Sequence, residues 1–320
     1  MGCTREITIP LRGDPSERLP DETINAGLDK LILDENSFNF YVIGDWGRNG
    51  YYKQAQVAHA MNLAAFVIEP DVIVSTGDNF YESGVASVQD PYFRSSFEDI
   101  YDGANLFVPW YLVLGNHDYK GNPQAQIEYT EISQRWKMPD RYFYFDQNDR
   151  GSGLSARFIF IDTSPFEDNY YTGSFKENIV SQDSTAQKNW LEQTLKSSQA
   201  DWNIVIGHHP FYTSGHRIGR DSDTRSHLEE LFQKYKVDAY FAGHEHDLQH
   251  QKPDAIHTHH FISGAGSRLR PTGQMEYTRF AESTNGFMIA SLSHHKLRIQ
   301  AVSWEGKVLY QTEILKTISK

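Results

Sequence analysis

Five short apolar runs in this chain end in glycine, and each is followed by Asp, Asn or His. "FYVIG" runs into Asp45 and "VIVSTG" into Asp78. "YLVLG" runs into Asn116 and His117, "NIVIG" into His208 and His209, and "AYFAG" into His244, Glu245 and His246. Tyr81 follows three residues after Asp78. One such junction is ordinary turn chemistry, which Asp and Asn favour. Capping needs no histidine, and five junctions exceed what composition explains. Carboxylate, amide, phenol and imidazole donors suit hard and borderline cations such as Fe, Mn or Zn. Asp45, Asp78, Tyr81, Asn116, His208, His244 and His246 are the candidate donors. They are too many for one ion that must also keep water. Two ions about 3.5–4 Å apart and sharing a carboxylate accommodate them. His244 and His246 alternate on an extended segment, which would aim them at different ions.

These donors need elements that carry them to one place. Runs rich in aromatic and β-branched residues predict strands over 38–44, 71–77, 110–116 and 156–162, with strand-then-loop segments at 201–210 and 237–246. Helical spacing of apolar residues predicts helices over 52–66, 185–198 and 224–236. The tail, 259–316, reads mostly as strands. Alternation followed by a strand-rich end implies an α/β fold of two packed β-sheets flanked by helices. In open α/β sheets the carboxyl ends of the strands form the ligand crevice. The junction glycines are expected to let the chain turn sharply there. Residues 1–36, with Pro10, Pro15 and Pro20, read as an N-terminal extension, and 37–320 as a single catalytic domain. The aperiodic segment 163–184 is long enough to be functional or mobile.

The chain has 42 acidic and 30 basic residues, a formal charge of −12. That surface argues against nucleic acid as the main partner. It leaves room for a small phosphorylated substrate, because bound cations invert the sign of a cleft. No apolar run approaches the roughly 20 residues of a membrane span. Cys3 is the single cysteine, so neither an intrachain disulfide nor a zinc–thiolate cluster can form. "MGCTREITIP" has no apolar signal-peptide region, and Cys3 reads either as an exposed thiol or as a lipid-anchoring one.

In order along the chain, "GDWG", "GDNFY", "GNHD", "VIGH" and "GHEH" resemble the five blocks of the metallophosphoesterase superfamily. Tyr81 narrows the resemblance to the purple acid phosphatases. "YFAGHEHDLQ" and "TEISQRWKMP" are similar to text of the small, tartrate-resistant type. The resemblance spans about residues 38–316. It implies a four-layer α-β-β-α sandwich and an acid phosphatase acting on phosphate monoesters. It further implies Fe(III) held by Asp45, Tyr81 and His246, and Fe(II), Zn or Mn held by Asn116, His208 and His244, with Asp78 bridging. His117 would face the substrate as a hydrogen-bond donor or general acid. His216, in "TSGHRIG", is a looser match to a second substrate-facing histidine. An extracytoplasmic location is also implied: secreted, periplasmic or anchored through Cys3. Residues 1–37 and 163–184 depart from the family's usual text.

In such a site the ions would neutralise phosphate charge and activate a water for in-line attack. Asp118 is expected to orient His117. Trp46 reads as a packing residue that shields the site. His209 reads equally as cleft-lining or exposed, and His250, His257, His259 and His260 as solvated or sheet-face residues. Two other functions fit the same residues: a phosphodiesterase or nucleotide pyrophosphatase on this scaffold, and a metal-containing binding protein without turnover.

Overall fold

The computed structural model describes residues 19–220 and 222–316. Its strands are, in chain order, β1 (Phe38–Ile43), β2 (Val72–Ser75), β3 (Trp110–Leu112), β4 (Trp136–Lys137), β5 (Phe143–Asp149), β6 (Leu154–Phe160) and β7 (Trp202–Ile206). Then follow β8 (Ala239–Ala242), β9 (Leu248–Gln251), β10 (His259–Ser263), β11 (Thr278–Glu282), β12 (Gly286–Leu292), β13 (Lys296–Ser303) and β14 (Val308–Leu315). They form two seven-stranded mixed sheets, ordered β14-β13-β12-β1-β2-β3-β4 and β11-β9-β10-β8-β7-β6-β5. Strands β1 to β4 run parallel in the first sheet, and β6, β7, β8 and β10 run parallel in the second.

The sandwich follows from the two-residue period of a strand buried on both faces. Phe40 and Val42 of β1 point inward and pack with Ile204 and Ile206 of β7 and Phe241 of β8. Tyr41 and Ile43 point outward into a second core with α2 (Gln54–Ala64) and Ala125 of α3 (Pro123–Glu128). Val205 and Tyr240 do the same on the other side, under α5 (Ser184–Ser197) and α6 (Asp223–Lys234). Three apolar layers thus alternate with two sheets, which gives the four-layer arrangement. The helices begin where local chemistry asks them to: Asp183 caps α5 through Ala186 N, and Ser222 caps α6 through Arg225 N.

Sequence and structure differ in instructive places. The strands bearing the candidate donors stop before their glycines, so the donors sit in loops beyond the sheet ends. α1 (Asp21–Leu28) lies inside the segment read as an extension, and buries Ile24 and Leu28 in the first core. Nearby, Asp34 accepts from Lys296 Nζ at 2.7 Å and Arg298 Nε at 2.8 Å, so residues 19–36 are tied to β13. Cys3 lies outside the described residues. Segment 163–184 is a chain of short helical turns ending in α4 (Lys176–Ile179). It is strapped to the loop after His117, since Asn178 Nδ2 donates to Tyr119 O at 2.9 Å and Gly121 O at 2.8 Å.

Candidate metal centre

The loops that follow β1, β2, β3, β7 and β8 meet at one end of the sandwich. The sharp turns fall on the donors themselves more than on the glycines. Asp45, Asp78 and His244 have φ of 56°, 52° and 68°, whereas among the five junction glycines Gly77 alone has positive φ. Left-handed backbone is uncommon outside glycine and concentrates at functional sites. The other glycines serve close approach. A Cβ on Gly243 would collide with Asp45 Oδ2, which here accepts from His244 N at 2.9 Å and ties the two sheets together.

The seven candidate donors form two adjoining groups. In one, Tyr81 Oη lies 2.7 Å from Asp78 Oδ2, 2.9 Å from Asp45 Oδ1 and 3.3 Å from His246 Nε2. His246 Nε2 is in turn 3.3 Å from Asp45 Oδ1. In the other, His208 Nε2 lies 3.2 Å from Asn116 Oδ1, 3.2 Å from His244 Nδ1 and 3.5 Å from Asp78 Oδ1. The two oxygens of Asp78 therefore face different groups. Donors bound at about 2.1 Å around a six-coordinate ion stand about 3 Å apart, so both groups have ligand spacing. All seven side chains are buried.

The imidazoles are presented in the right tautomer. His208 Nδ1 lies 2.8 Å from Thr76 O and His246 Nδ1 lies 2.6 Å from Arg268 O. A carbonyl only accepts, so in both rings Nδ1 carries the proton and Nε2 keeps its lone pair for a cation. Burial alone would raise the Asp78 carboxyl, but the neighbouring His208 and His117 rings, the His117 amide and the Tyr81 hydroxyl hold it below the usual carboxylate range. Burial, with Asp45 and Asp78 beside it, pushes the Tyr81 phenol well above its ordinary value. The Arg48 guanidinium, 3.7 Å over the ring, acts the other way.

His117 borders the same space. Its Nδ1 is 2.7 Å from Glu82 O, and its ring lies 4.5 Å from that of Tyr81. Burial lowers its pKa, opposed by the charge of Asp78. Asp118 does not hold the His117 ring. It accepts from the amides of Gly115 (2.8 Å), Asn79 (3.1 Å) and Phe80 (3.2 Å) and from Gln126 Nε2 (2.8 Å). It thereby locks the Asp78 loop to the Asn116 loop. Trp46 is buried, donates to Ser75 Oγ at 2.9 Å, and packs on Phe80, Tyr101 and Trp110.

His209 is buried, and both of its ring nitrogens are engaged, by Thr163 Oγ1 at 2.8 Å and Tyr170 Oη at 3.0 Å. His216 is exposed at its turn. The next residue, Arg217, turns inward and donates through Nη1 to His244 O (3.1 Å) and Glu245 Oε1 (3.2 Å). Arg217 borders a cavity of about 490 Å³ that runs from Asn116 and His244 to Tyr212 and Tyr277. Arg217 and Tyr170 were not legible as site residues. Their only sequence signals were adjacency to His216 and membership of the aperiodic 163–184 segment.

Residues 38–248 match the calcineurin-like phosphoesterase family. Purple acid phosphatase 17 of Arabidopsis thaliana is 37% identical over 295 residues, covering 87% of this chain and 84% of that one. Tartrate-resistant acid phosphatase type 5 of Rattus norvegicus is 30% identical over 307 residues, covering 87% and 90%. Among solved structures, GAP50, described as the anchor in the inner membrane complex of Plasmodium, superposes with a TM-score of 0.76 at 27% identity, covering 89% and 90%.

Proposed function

The chain belongs to the calcineurin-like phosphoesterase family, and on that premise we propose that it is an acid phosphatase hydrolysing phosphate monoesters at a binuclear metal centre. The observation that carries this reading is the pair of donor groups joined through Asp78, with Tyr81 in one of them. Asp45, Asp78, Tyr81 and His246 would hold the first ion, and Asp78, Asn116, His208 and His244 the second. The Tyr81 phenol ligates as phenolate, and its surroundings resist ionisation. A cation of high charge overcomes that resistance best, which favours Fe(III) in the first site and Fe(II), Zn or Mn in the second. When bound, the ions supply Lewis acidity and a nucleophilic water at acid pH.

The protein's own groups do the rest. Asp118 fixes the two loops that present Asp78, Asn116 and His117, which is the positioning that phosphoryl transfer depends on. His117 has its Nδ1 proton committed to Glu82 O, so any proton it gives a departing alkoxide comes from Nε2. At the 215–218 turn we assign substrate contact to Arg217, with the exposed His216 as the outer candidate. The substrate is small and phosphorylated. Among the described residues no helix is long and apolar enough to cross a membrane. An extracytoplasmic location fits the relatives that the sequence resembles.

Turnover of p-nitrophenyl phosphate and bis-p-nitrophenyl phosphate at pH 5 and 7.5 tests the reading. Faster monoester hydrolysis at pH 5 is expected. Preference for the diester at pH 7.5 would move the assignment to a phosphodiesterase. GAP50, described as an anchor, shares this fold, so a third outcome has meaning. If metal-loaded protein hydrolysed neither ester at any pH, a binding role would replace catalysis.

A further inference from the structure

We propose that Arg48 is a positioning residue for the Tyr81 ligand, and that its guanidinium sets how strongly that phenolate donates electrons to the first ion. The inference rests on the binuclear-centre reading. It adds a residue that fixes the colour and the reduction potential of that ion. Arg48 stands three residues after Asp45 and is 8% exposed. Its Cζ lies 3.7 Å from the centre of the Tyr81 ring. That is face contact, well inside the roughly 6 Å over which a cation and an aromatic ring attract. A guanidinium does not lose its charge in a protein.

The chain holds this stack from both sides. Arg48 N and Gly50 N donate to Gln54 Oε1 at 3.0 and 2.8 Å, and Gln54 Nε2 donates to Ser96 O at 2.7 Å. Tyr81 N donates to Gly47 O at 2.9 Å, which joins the two loops beside the stacked side chains. Gly47 permits this approach, because a Cβ there would run into Asn79 O. Arg48 Nη1 pairs with Glu82 Oε1. Glu82 O in turn accepts from His117 Nδ1 at 2.7 Å. One arrangement therefore braces Tyr81 and His117 together.

The ring face meets a net positive charge. The Glu82 side chain is 62% exposed, so water screens it, whereas the Arg48 side chain is 8% exposed. Arg48 Nε is buried and has no hydrogen-bond partner among the described residues, so no acceptor offsets the charge there. Asp45 and Asp78, the carboxylates beside Tyr81 Oη, are committed to the ions in this reading. Arg48 then remains as a fixed charge at the ring. A positive charge over a phenolate stabilises its electrons. Donation to the ion weakens, so a ferric ion is easier to reduce. Moving an electron from phenolate to iron takes more energy, so the absorption lies at shorter wavelength. A unit charge acting over roughly 6 Å at an effective dielectric of about 20 is equivalent to about a hundredfold in an equilibrium constant, and Glu82 offsets part of it.

The test compares Fe(III)-loaded wild type with Arg48→Met, Arg48→Lys and Glu82→Gln, with iron content measured in each. Arg48→Met keeps an unbranched chain and removes the charge. Its visible band should move to longer wavelength. In a mediated redox titration its equilibrium constant for reduction should fall at least about tenfold. Arg48→Lys should lie between, since lysine keeps the charge without the planar stack. Glu82→Gln should move both readouts the opposite way, because it unmasks the guanidinium. Glu82 is exposed, so this variant decides if Arg48→Met does not fold or does not hold iron, and an unmoved Glu82→Gln band would then overturn the inference. An Arg48→Met band and potential equal to wild type at full iron content would overturn it as well, and would leave Arg48 a packing residue. So would shifts of the same sign in Arg48→Met and Glu82→Gln. Fe(III) bound by wild type without a visible band would overturn Tyr81 as a ligand and this inference with it. Absence of p-nitrophenyl phosphate hydrolysis would instead overturn the phosphatase reading, while the spectrum and potential still read Arg48.

Discussion

Lowering the pH should weaken the fold through two buried histidines outside the two donor groups. His250 on β9 and His260 on β10 are each 2% exposed. Burial, with neighbouring positive groups, holds His250 down at about 2 and His260 at about 3. His250 is paired with Tyr310 Oη at 2.9 Å and His259 Nδ1 at 3.0 Å. Neither ring nitrogen of His260 has a hydrogen-bond partner among the described residues, and the ring sits among Phe211, Tyr212 and Tyr240. Both rings are thus neutral in the fold and titrate near 6.5 in the unfolded chain. Because the folded values are depressed, their neutral burial stabilises fully above pH 6.5, and that stability is lost as pH falls toward the folded values. At pH 5 each histidine has cost about 1.5 × 1.36, or about 2 kcal/mol. Two such losses are a large part of a typical stability of about 5–15 kcal/mol. Urea denaturation of wild type and His260→Leu at pH 7.5 and 5.0 isolates the effect, since metal-ligand protonation is common to both. The variant should gain about 2 kcal/mol relative to wild type between the two pH values. Parallel losses in the two proteins would refute a neutral, solvent-excluded His260.

Asp78→Asn should leave fewer than two ions per chain and lower kcat at least about a hundredfold, measured by elemental analysis alongside p-nitrophenyl phosphate turnover. Gly243→Ala brings a methyl group against Asp45 Oδ2. It should cost about 1–3 kcal/mol in denaturant melts and reduce metal content with it. His117→Asn should slow hydrolysis of an alkyl phosphate about a hundredfold and of p-nitrophenyl phosphate much less, because nitrophenolate leaves unprotonated. Equal slowing of both esters would argue against His117 as a proton donor.

What the sequence disclosed was the part written in apolar runs. Phe40 to Ile43 and Ile204 to Ile206 are two-faced strands in a buried sandwich, and their text is continuously apolar. The donors stand one to four residues past the glycine that ends each run, where nothing hides them. The rest was hidden for physical reasons. β9 is "LQHQ", polar by composition yet buried throughout. Gln249 and Gln251 are satisfied by Ser214, Asp247 and Thr278, partners remote in sequence or reachable only in the fold. α1 was masked by its short length and by the prolines that precede it, Pro10, Pro15 and Pro20. Asp118 was legible as a helper, but its real targets are three backbone amides, which no side-chain pattern announces. Arg217 and Tyr170 act from a turn and a chain of helical turns, where no periodicity marks an inward face.

The most direct measurement is the metal content of the purified protein together with its visible spectrum, for wild type and Tyr81→Phe. Two ions per chain, at least one of them iron, with a phenolate-to-iron absorption in wild type that disappears in Tyr81→Phe, is the outcome that a centre built on Asp45, Asp78, Tyr81 and His246 requires. A colourless protein carrying only zinc or manganese, or a colour that persists without Tyr81, would contradict it.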